Sequence, residues 1–267
     1  MNFSVVLVGA GNMGGAMLKG WMANGMPPEN ITVLDPNVSE QVKSTFLKSK
    51  ILHVATPDSV SAPDVLILAI KPQMMEQVLP TLSGLIKQST VVVSVAAGTT
   101  LSTISDALGA VAAIRVMPNT PSLVLRGMSV GCANAIVTEE HRSHVDALMN
   151  AIGMVEWVDD EKLIDAVTAV SGSGPAYVFH LAECMADAGI KAGLPEQLAM
   201  TLAVQTIAGA GELLSLSDDE PATLRKNVTS PNGTTAAALE VLMGEGGMPE
   251  LVTKAIMAAK KRSEELS

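Results

Sequence analysis

The stretch that decides the fold is "VVLVGAGNMGGAM", residues 5–17. It begins as an apolar strand and continues at once into Gly9-x-Gly11-x-x-Gly14, which opens a helical pattern. In this context glycine allows a tight turn and a close approach of the backbone to a pyrophosphate, and the helix N-terminus offers free N–H groups. A plain strand–helix turn is the alternative interpretation. We predict that the coenzyme contacts Gly9, Gly11, Asn12, Met13 and Gly14.

Outward from this loop, residues 1–158 alternate β-branched runs with helical patterns, which is typical of a parallel sheet with crossover helices. Runs such as "VLILAI" and "VVVSV" are continuously apolar, as expected for strands that are covered on both faces. The predicted strands are residues 4–8, 31–34, 65–70, 91–95, 112–116 and 129–132. The expected fold class is therefore α/β, with a Rossmann-type, doubly wound, mainly parallel sheet in this domain.

The pattern changes after Trp157, and residues 159–267 contain no convincing strand. Long helices are predicted at residues 160–191, 195–216 and 248–265, with shorter ones at 221–226 and 234–243. We therefore expect a second domain, residues 159–267, that is entirely helical. Because no flexible or low-complexity segment lies near residue 158, the boundary is a change of period and not a linker.

Charge and apolar patterning exclude two classes of partner. The chain has 17 basic and 27 acidic residues, a formal net charge of −10, and no basic stripe of the kind that nucleic-acid binders show. A membrane span needs about 20 consecutive apolar residues, and we expect no apolar run of this chain to approach that length. We therefore expect neither a nucleic acid nor a membrane as partner.

The compartment is predicted from the N-terminus and the cysteines. "MNFSVVLVGAG" has no basic segment before its apolar run, so we interpret it as a first strand and not a signal peptide. Cys132 and Cys184 both lie in apolar surroundings, which favours buried thiols in a reducing compartment over a disulfide framework. The expected localisation is cytoplasmic.

Asp35 is the candidate for recognition of the adenosine ribose. It ends the second predicted strand and follows Gly14 by 21 residues, where an acidic side chain accepts hydrogen bonds from the 2′-hydroxyl of NADH. An NADPH site would instead favour a cation for the 2′-phosphate, and Lys43 is the first one after Asp35. The alternative is that Asp35 only caps the next turn. We predict that the coenzyme is NADH or NADPH, with NADH preferred.

Three further loops follow predicted strands at the edge of the sheet where open α/β folds bind ligands. "AIKPQ" is residues 69–73, "SVAAGT" is residues 94–99, and "RVMPNTP" is residues 115–121. The candidates for coenzyme contact in these loops are Ala69, Lys71, Pro72, Ala97, Gly98, Met117, Pro118 and Asn119. Lys71 is equally consistent with a solvated lysine.

The histidines are poor candidates for catalysis or for a metal site. His53 lies in the apolar run "ILHVAT", and His141 and His144 are expected on an exposed helix face without a third ligand. His180 shares a helical face with acidic residues and Cys184, for which packing is the favoured interpretation. We predict no metal site, and a dehydrogenase of alcohols would need a general base that these residues do not supply.

The segment "AVSGSGPAYVF", residues 169–179, points to a different reaction. Two-domain dehydrogenases of hydroxy acids carry a lysine shortly after a comparable glycine-rich segment, whereas this chain has none until Lys191. A protonated carbon–nitrogen double bond accepts hydride without a strong catalytic acid. A site built from backbone N–H groups and hydroxyls is sufficient for an imine and insufficient for an alcohol.

The motifs of the chain together resemble those of the pyrroline-5-carboxylate reductases, which reduce a cyclic imine to proline. The motifs are "VGAGNMGGAM", "AIKPQ", "RVMPNTP", "GSGPAYVF" and, most specifically, "VTSPNGTTAAAL" at residues 228–239; together they cover essentially the whole chain. The resemblance implies a helical domain that forms an interlocked homodimer, an active site that draws on both subunits, and further assembly into rings of dimers such as a decamer.

The resemblance also assigns substrate-binding residues within "VTSPNGTTAAAL". Ser230, Gly233, Thr234 and Thr235 would bind the carboxylate of 1-pyrroline-5-carboxylate, and the Thr235 hydroxyl would reach the ring nitrogen as the catalytic contact. Asn232 stands where glycine is common in the family, and asparagine tolerates the left-handed conformation that the turn needs. Asp35 departs from the small or basic residues of NADPH-preferring members.

Two other functions stay open on the sequence. The chain is also consistent with a reductase of another small cyclic imino acid or of a keto acid, although the missing lysine disfavours hydroxy-acid chemistry. A non-catalytic sensor of the dinucleotide would need no substrate pocket, and "SPNGTT" would then only cap a helix. Since a cap needs one hydroxyl and this segment offers several, we favour the enzyme.

Overall fold

The computed structural model describes residues 1–266. By residue contacts the chain divides into two compact units, the first being Met1–Gly172 with the chain from Ala259 onward and the second Ser173–Ala258. Residues 159–172, which the sequence assigns to the helical domain, belong to the first unit because Ile164 is buried against Met117 and Cys132. The units are described separately below.

The first unit contains one eight-stranded sheet in the order β3-β2-β1-β4-β5-β6-β7-β8. All neighbouring strands are parallel except β6 and β7, which confirms the doubly wound, mainly parallel prediction. The strands are β1 Val5–Val8, β2 Ile31–Leu34, β3 Leu52–Val54, β4 Val65–Leu68, β5 Val91–Ser94, β6 Ala112–Met117, β7 Gly127–Ala133 and β8 Gly153–Trp157.

The two strands that were not predicted, β3 and β8, are the edges of the sheet. Edge strands are covered incompletely, so their sequences need no continuous apolar run. Leu52 is exposed at the start of β3, and β8 alternates half-buried and exposed residues. Both strands therefore lack the signal by which the central strands were identified.

Helices cover both faces of this sheet. They are α1 Asn12–Ala23, α2 Glu40–Lys48, α3 Met75–Val78, α4 Leu101–Leu108, α5 Glu139–Asn150 and α6 Leu163–Val167. Alternate residues of β1 enter two separate cores, with Val5 and Leu7 in one and Val6 and Val8 in the other. On the first of these faces Trp21 of α1 is fully buried, and its ring N–H donates to the carbonyl of Leu148, 3.0 Å away. The C-terminal part of α1 is thereby fixed against α5.

The second unit is helical. It contains α7 Gly174–Lys191, α8 Glu196–Leu216, α9 Pro221–Asn227, α10 Thr234–Met243 and the first part of α11 Met248–Glu264. Before α7 the chain forms a π-helical turn, Thr168–Gly172, which follows α6 and belongs to the first unit. The core between α7 and α8 consists of Ala186, Ala199 and Ala203, because small side chains let the two helices approach closely.

One helix of the second unit is strongly apolar. α8 is long and apolar enough to cross a membrane by length and composition, and it is the one such helix among residues 1–266. Only 11% of its most apolar window is buried within the chain. The surface of α8 therefore needs a covering that this chain does not itself supply.

Candidate active site

The glycine loop between β1 and α1 has the geometry that close approach to a phosphate requires. Gly9 has a φ of 96°, and a Cβ there would lie 2.7 Å from the carbonyl oxygen of Ala69. A Cβ at Gly14 would overlap the carbonyl oxygen of Gly9. By contrast, a Cβ at Gly11 would meet nothing within 4 Å, so this position faces open space. Two glycines thus fold the loop, and the third leaves its outer side clear for a ligand.

A cavity of about 490 Å³ lies against this loop, within the volume range of small-molecule sites. The cavity brings together five of the predicted coenzyme residues from three loops, namely Gly9, Gly11, Asp35, Ala69 and Lys71. Its far wall is formed by residues 55–57, which follow β3. The residues present fit a dinucleotide, because a glycine-lined wall and an acidic side chain at the end of β2 are the two features that this cofactor class needs.

The Asp35 carboxylate is already oriented by backbone donors. One oxygen accepts the N–H of Ala10 in the glycine loop, and the other accepts the N–H of Asn37, each at 2.8 Å. The turn-capping role considered from the sequence is therefore real for one oxygen. A carboxylate has about four acceptor positions, so acceptor capacity remains for a ribose hydroxyl. The ammonium of Lys43 is bound to Glu40 at 2.7 Å.

The other predicted coenzyme residues lie elsewhere in the first unit. Pro72, Ala97 and Gly98 line a second cavity of about 750 Å³, in which Leu266 also takes part. Gly98 has a φ of 75°, and the carbonyl oxygen of Leu266 lies 2.5 Å from where its Cβ would be. The structure therefore places Pro72, Ala97 and Gly98 in this second cavity and not in the lining of the glycine-loop cavity.

Met117, Pro118 and Asn119 form the corner between β6 and the following loop. The Asn119 side chain donates to the carbonyl of Ser171 at 3.3 Å and accepts the N–H of Met128 at 2.8 Å. Met117 is buried, and its sulfur is the nearest atom to the position of a Cβ at Gly172. This corner thus holds the π-helical turn of the "SGSGP" segment, a type of irregularity that is common at functional sites.

An ion pair between a buried arginine and a partly exposed glutamate was missed by the sequence analysis. Arg115 is 2% exposed, and its Nη1 lies 3.2 Å from Glu161 Oε1, which also accepts the N–H of Leu101 at 2.9 Å. Because Leu101 begins α4 directly after the loop with Ala97, Glu161 holds the end of that loop. The one signal in the sequence was a charged residue inside the apolar run "AAIRVM" of β6.

The two cysteines differ in environment. Cys132 is buried opposite Arg115 in the sheet; burial raises the pKa of its thiol, and the negative charge of Glu161 raises it further, so the thiol is neutral. Cys184, expected to be buried, is exposed within its unit and lies 3.6 Å from the Nε2 of His180. His180 in turn lies 2.8 Å from Glu183.

The expectation of an exposed face for His141 and His144 was wrong. His141 is buried, and its Nδ1 accepts the N–H of Thr138 in a capping box at the start of α5. His144 stacks on Phe3 with ring centroids 4.1 Å apart. Both side chains therefore have structural roles in the first unit.

In the second unit, the segment before α10 forms a turn with an open helix N-terminus. Asn232 has a φ of 57°, the left-handed conformation that was expected for it. A Cβ at Gly233 would overlap the Ser230 hydroxyl oxygen, so the glycine leaves room for that hydroxyl in its present position. Within residues 1–266 no side chain caps α10, which begins at Thr234. The first N–H groups of α10 are therefore available to an anion, with the hydroxyls of Ser230 and Thr235 in the same turn.

Comparison with protein families gives one match in each half of the chain. Residues 161–266 match the family described as pyrroline-5-carboxylate reductase dimerisation. Residues 4–98 match the family described as NADP oxidoreductase coenzyme F420-dependent. The two matches cover the helical unit and the region of the glycine loop, respectively.

Individual proteins match over nearly the full chain. The pyrroline-5-carboxylate reductase of Pseudomonas aeruginosa is 40% identical over 98% of this chain and 96% of its own length, and that of Pisum sativum is 38% identical over 100% and 97%. Among solved structures, a pyrroline-5-carboxylate reductase from Coxiella burnetii has a TM-score of 0.94 at 33% identity, covering 100% of this chain and 99% of that one. A Plasmodium falciparum pyrroline carboxylate reductase with NADP bound has a TM-score of 0.83 at 29% identity, covering 99% and 98%.

Proposed function

The chain belongs to the pyrroline-5-carboxylate reductase family, and we propose that its glycine-loop cavity and its 228–235 turn carry the reaction of that family. The enzyme reduces the cyclic imine 1-pyrroline-5-carboxylate to L-proline, the last step of proline biosynthesis. NAD(P)H supplies the hydride when bound. The observation that carries the assignment of residues is the N-terminus of α10, which no side chain caps and which follows a turn with Asn232 in the left-handed conformation.

The turn before α10 is the proposed site for the substrate carboxylate. The main-chain N–H groups of Thr234 and Thr235 at the start of α10 supply donors, whereas the N–H of Gly233 donates to the carbonyl of Ser230 at 3.1 Å. The helix N-terminus supplies a partial positive charge that favours an anion. Ser230 adds a hydroxyl, whose oxygen lies against Gly233. Binding through the backbone explains why no arginine or lysine occurs between residues 227 and 253.

Thr235 is the proposed contact of the ring nitrogen. It lies half-buried in the first turn of α10, the same turn as the carboxylate donors. The iminium nitrogen already carries its proton, so hydride addition to the imine carbon gives the amine without a strong acid. The Thr235 hydroxyl oxygen accepts the hydrogen bond of that N–H and holds the imine in one orientation.

Thr235→Ala tests this assignment. We expect kcat/KM for 1-pyrroline-5-carboxylate to fall by about a factor of ten to a hundred, the contribution of one hydrogen bond to a charged group, with coenzyme affinity nearly unchanged. Thr235→Ser should restore most of the activity, and Thr253→Ala, which removes an exposed hydroxyl bonded within its own helix, should have no effect. An unchanged kcat/KM in Thr235→Ala would remove Thr235 from the site.

NADH is the proposed preferred coenzyme. The Asp35 carboxylate is held by Ala10 and Asn37 at the end of β2, where it can bind a ribose hydroxyl and would repel a 2′-phosphate. The nearest cation along the chain, Lys43, is neutralised by Glu40. Comparing kcat/KM for both coenzymes tests the preference, and a strong preference for NADPH would overturn it. Asp35→Ser should raise the use of NADPH.

The proposed assembly is an interlocked homodimer formed by the helical unit. The exposed apolar surface of α8 supports it, as does the match of residues 161–266 to a dimerisation family. A decamer built as a ring of dimers is the larger assembly to test, and the mass in solution at several protein concentrations distinguishes the two. We also propose a cytoplasmic location, consistent with the two free cysteines.

A further inference from the structure

We propose that His53 is a positioning residue for coenzyme selectivity, because it holds the main chain of Asp35 so that the carboxylate faces the adenosine ribose. The inference deepens the proposed preference for NADH and rests on it. It concerns a side chain that the reaction itself does not use and that no motif of the chain marks.

The contact between His53 and Asp35 is direct. His53 is the central residue of β3 and pairs with Val33 of β2, and its Nε2 lies 2.8 Å from the carbonyl oxygen of Asp35. A carbonyl can only accept a hydrogen bond, so the Nε2 of His53 carries the proton in this contact. The tautomer is thus assigned from the bond that the ring makes.

Both backbone groups of Asp35 are held by the same strand. The N–H of Asp35 donates to the carbonyl of Val54 at 3.1 Å, and its own carbonyl accepts from His53. Asp35 lies beyond the last residue of β2, where the regular ladder has ended. His53 therefore supplies, from a side chain, the donor that keeps the end of β2 against β3.

The ring of His53 is itself held in place. Phe46 of α2 is buried and lies against it, with centroids 5.7 Å apart and an angle of 42° between the rings. Two residues after His53, the chain enters the wall of the glycine-loop cavity at residues 55–57. The histidine is therefore beside the adenosine end of the proposed coenzyme site without lining the cavity itself.

Loss of this bond should act on one coenzyme more than on the other. Without His53, Asp35 keeps the bond from its N–H to Val54 but loses the restraint on its carbonyl, so its carboxylate is held less firmly on the N–H groups of Ala10 and Asn37. NADH then loses its ribose contact, and the repulsion of a 2′-phosphate weakens at the same time. A purely structural role of His53 would instead lower the use of both coenzymes equally.

The test compares wild type with His53→Leu and His53→Gln in full-length protein. The measured quantity is the ratio of kcat/KM for NADH to that for NADPH at saturating 1-pyrroline-5-carboxylate. We expect the ratio to fall about tenfold in His53→Leu, the loss of one hydrogen bond. His53→Gln, whose amide N–H can replace Nε2–H, should stay within about threefold of wild type.

Val54→Ala is the matched control, because it trims a half-buried side chain of β3 and keeps the His53 contact; its ratio should equal that of wild type. If His53→Leu does not fold, His53→Asn replaces it. Its side chain is too short to reach Asp35, so the ratio of kcat/KM for the two coenzymes should again fall about tenfold. If wild type prefers NADH and the ratio is unchanged in His53→Leu and His53→Asn, the role of His53 is overturned while the proposed coenzyme preference stands. A wild-type preference for NADPH overturns the coenzyme proposal, and this inference with it.

Discussion

The two units of the chain differ in where their apolar side chains lie. In the first unit, both faces of the sheet are covered by large apolar residues, and Trp21, Leu66 and Ile114 are fully buried. In the second unit the buried core consists of three alanines, whereas Leu216 and Val241 are 72% and 76% exposed. The first unit therefore has a large apolar core of its own, whereas much of the apolar surface of the second is exposed in the single chain.

The free energy gained by burying apolar side chains favours a partner surface for the second unit. Burying a large aliphatic side chain stabilises a protein by about 1.5–3 kcal/mol, and monomers rarely leave extended apolar patches on their surface. Exposed large apolar residues recur along α8, at Leu198, Leu202 and Leu213 among others. A second copy of the helical unit, as in the dimerisation family that residues 161–266 match, would bury them. The same composition explains why α8 has the length and hydropathy of a membrane helix.

The largest expected effect is in the core of the first unit. Trp21→Ala removes a fully buried ring and its hydrogen bond to Leu148, and should lower the free energy of unfolding by about 3–5 kcal/mol. The fluorescence of Trp157, which also lies in this unit, reports the transition in denaturant. Leu47→Ala, at a side chain that is 82% exposed, should change the free energy of unfolding by less than about 0.5 kcal/mol. Similar losses in the two variants would contradict a self-sufficient core.

The next effect concerns the surface of the second unit. Leu202→Asp places a charge on α8 at a position that is 47% exposed in the single chain, and should weaken self-association by about a hundredfold if a partner covers it. Sedimentation over a range of concentrations measures this change. Leu47→Asp is the control, since α2 belongs to the unit with its own core. Wild-type association of Leu202→Asp would place the dimer contact elsewhere.

A smaller effect is expected where the end of α11 belongs to the first unit. The Ser263 hydroxyl donates to Asp165 Oδ1 at 2.7 Å, and both residues are buried. Ser263→Ala takes this donor from a buried carboxylate and should lower the stability of the first unit by about 1–2 kcal/mol. Ser215→Ala, which removes an exposed hydroxyl bonded within α8, should leave the same transition unchanged. Equal losses of stability in Ser263→Ala and Ser215→Ala would show that the end of α11 does not contribute to the core of the first unit.

The smallest effect is a pH dependence at the base of the sheet. Burial alone would raise the pKa of Asp64, but hydrogen bonds from Ser4 and the ion pair with Lys87 outweigh it and hold the pKa below its usual value of 3.8. A lowered pKa in the fold means that the stabilisation is present above about pH 4 and is lost as the pH falls through the folded pKa.

We therefore expect Asp64→Asn to be less stable than wild type at neutral pH by up to about 1 kcal/mol, the range of a partly exposed pair. The difference should shrink as the pH is lowered from about 5 to 2 in denaturant titrations followed by Trp157 fluorescence. A difference that does not depend on pH would show that the charge of Asp64 has no part in it.

The central strands and the long helices were predicted closely, since they depend on short-range patterns. β2 and α10 have the predicted bounds, and the other central strands differ by one or two residues at their ends. The edge strands β3 and β8 were missed because partial exposure removes the continuous apolar run. The helix predicted over residues 160–191 is divided by a π-helical turn, whose position depends on Asn119 and Met117 from a distant loop.

The candidate site shows the same division. Glycine spacing predicted the loop that lines the coenzyme cavity, and the "VTSPNGTTAAAL" motif predicted the turn before α10, including the left-handed Asn232. The site residues themselves remain a prediction. What the motifs could not give is the set of groups that hold these loops, such as Glu161 on Leu101 and His53 on Asp35.

The sequence by itself determined the fold class, the central strands and the identity of the glycine loop, because strand periodicity and close backbone approach depend on neighbouring residues. Only the tertiary structure decided which side chains support the site. Arg115 and Glu161 are 46 positions apart, and Ser263 and Asp165 are 98 apart. Contacts over such distances arise when the sheet and its helices pack, and no local pattern in the chain encodes them.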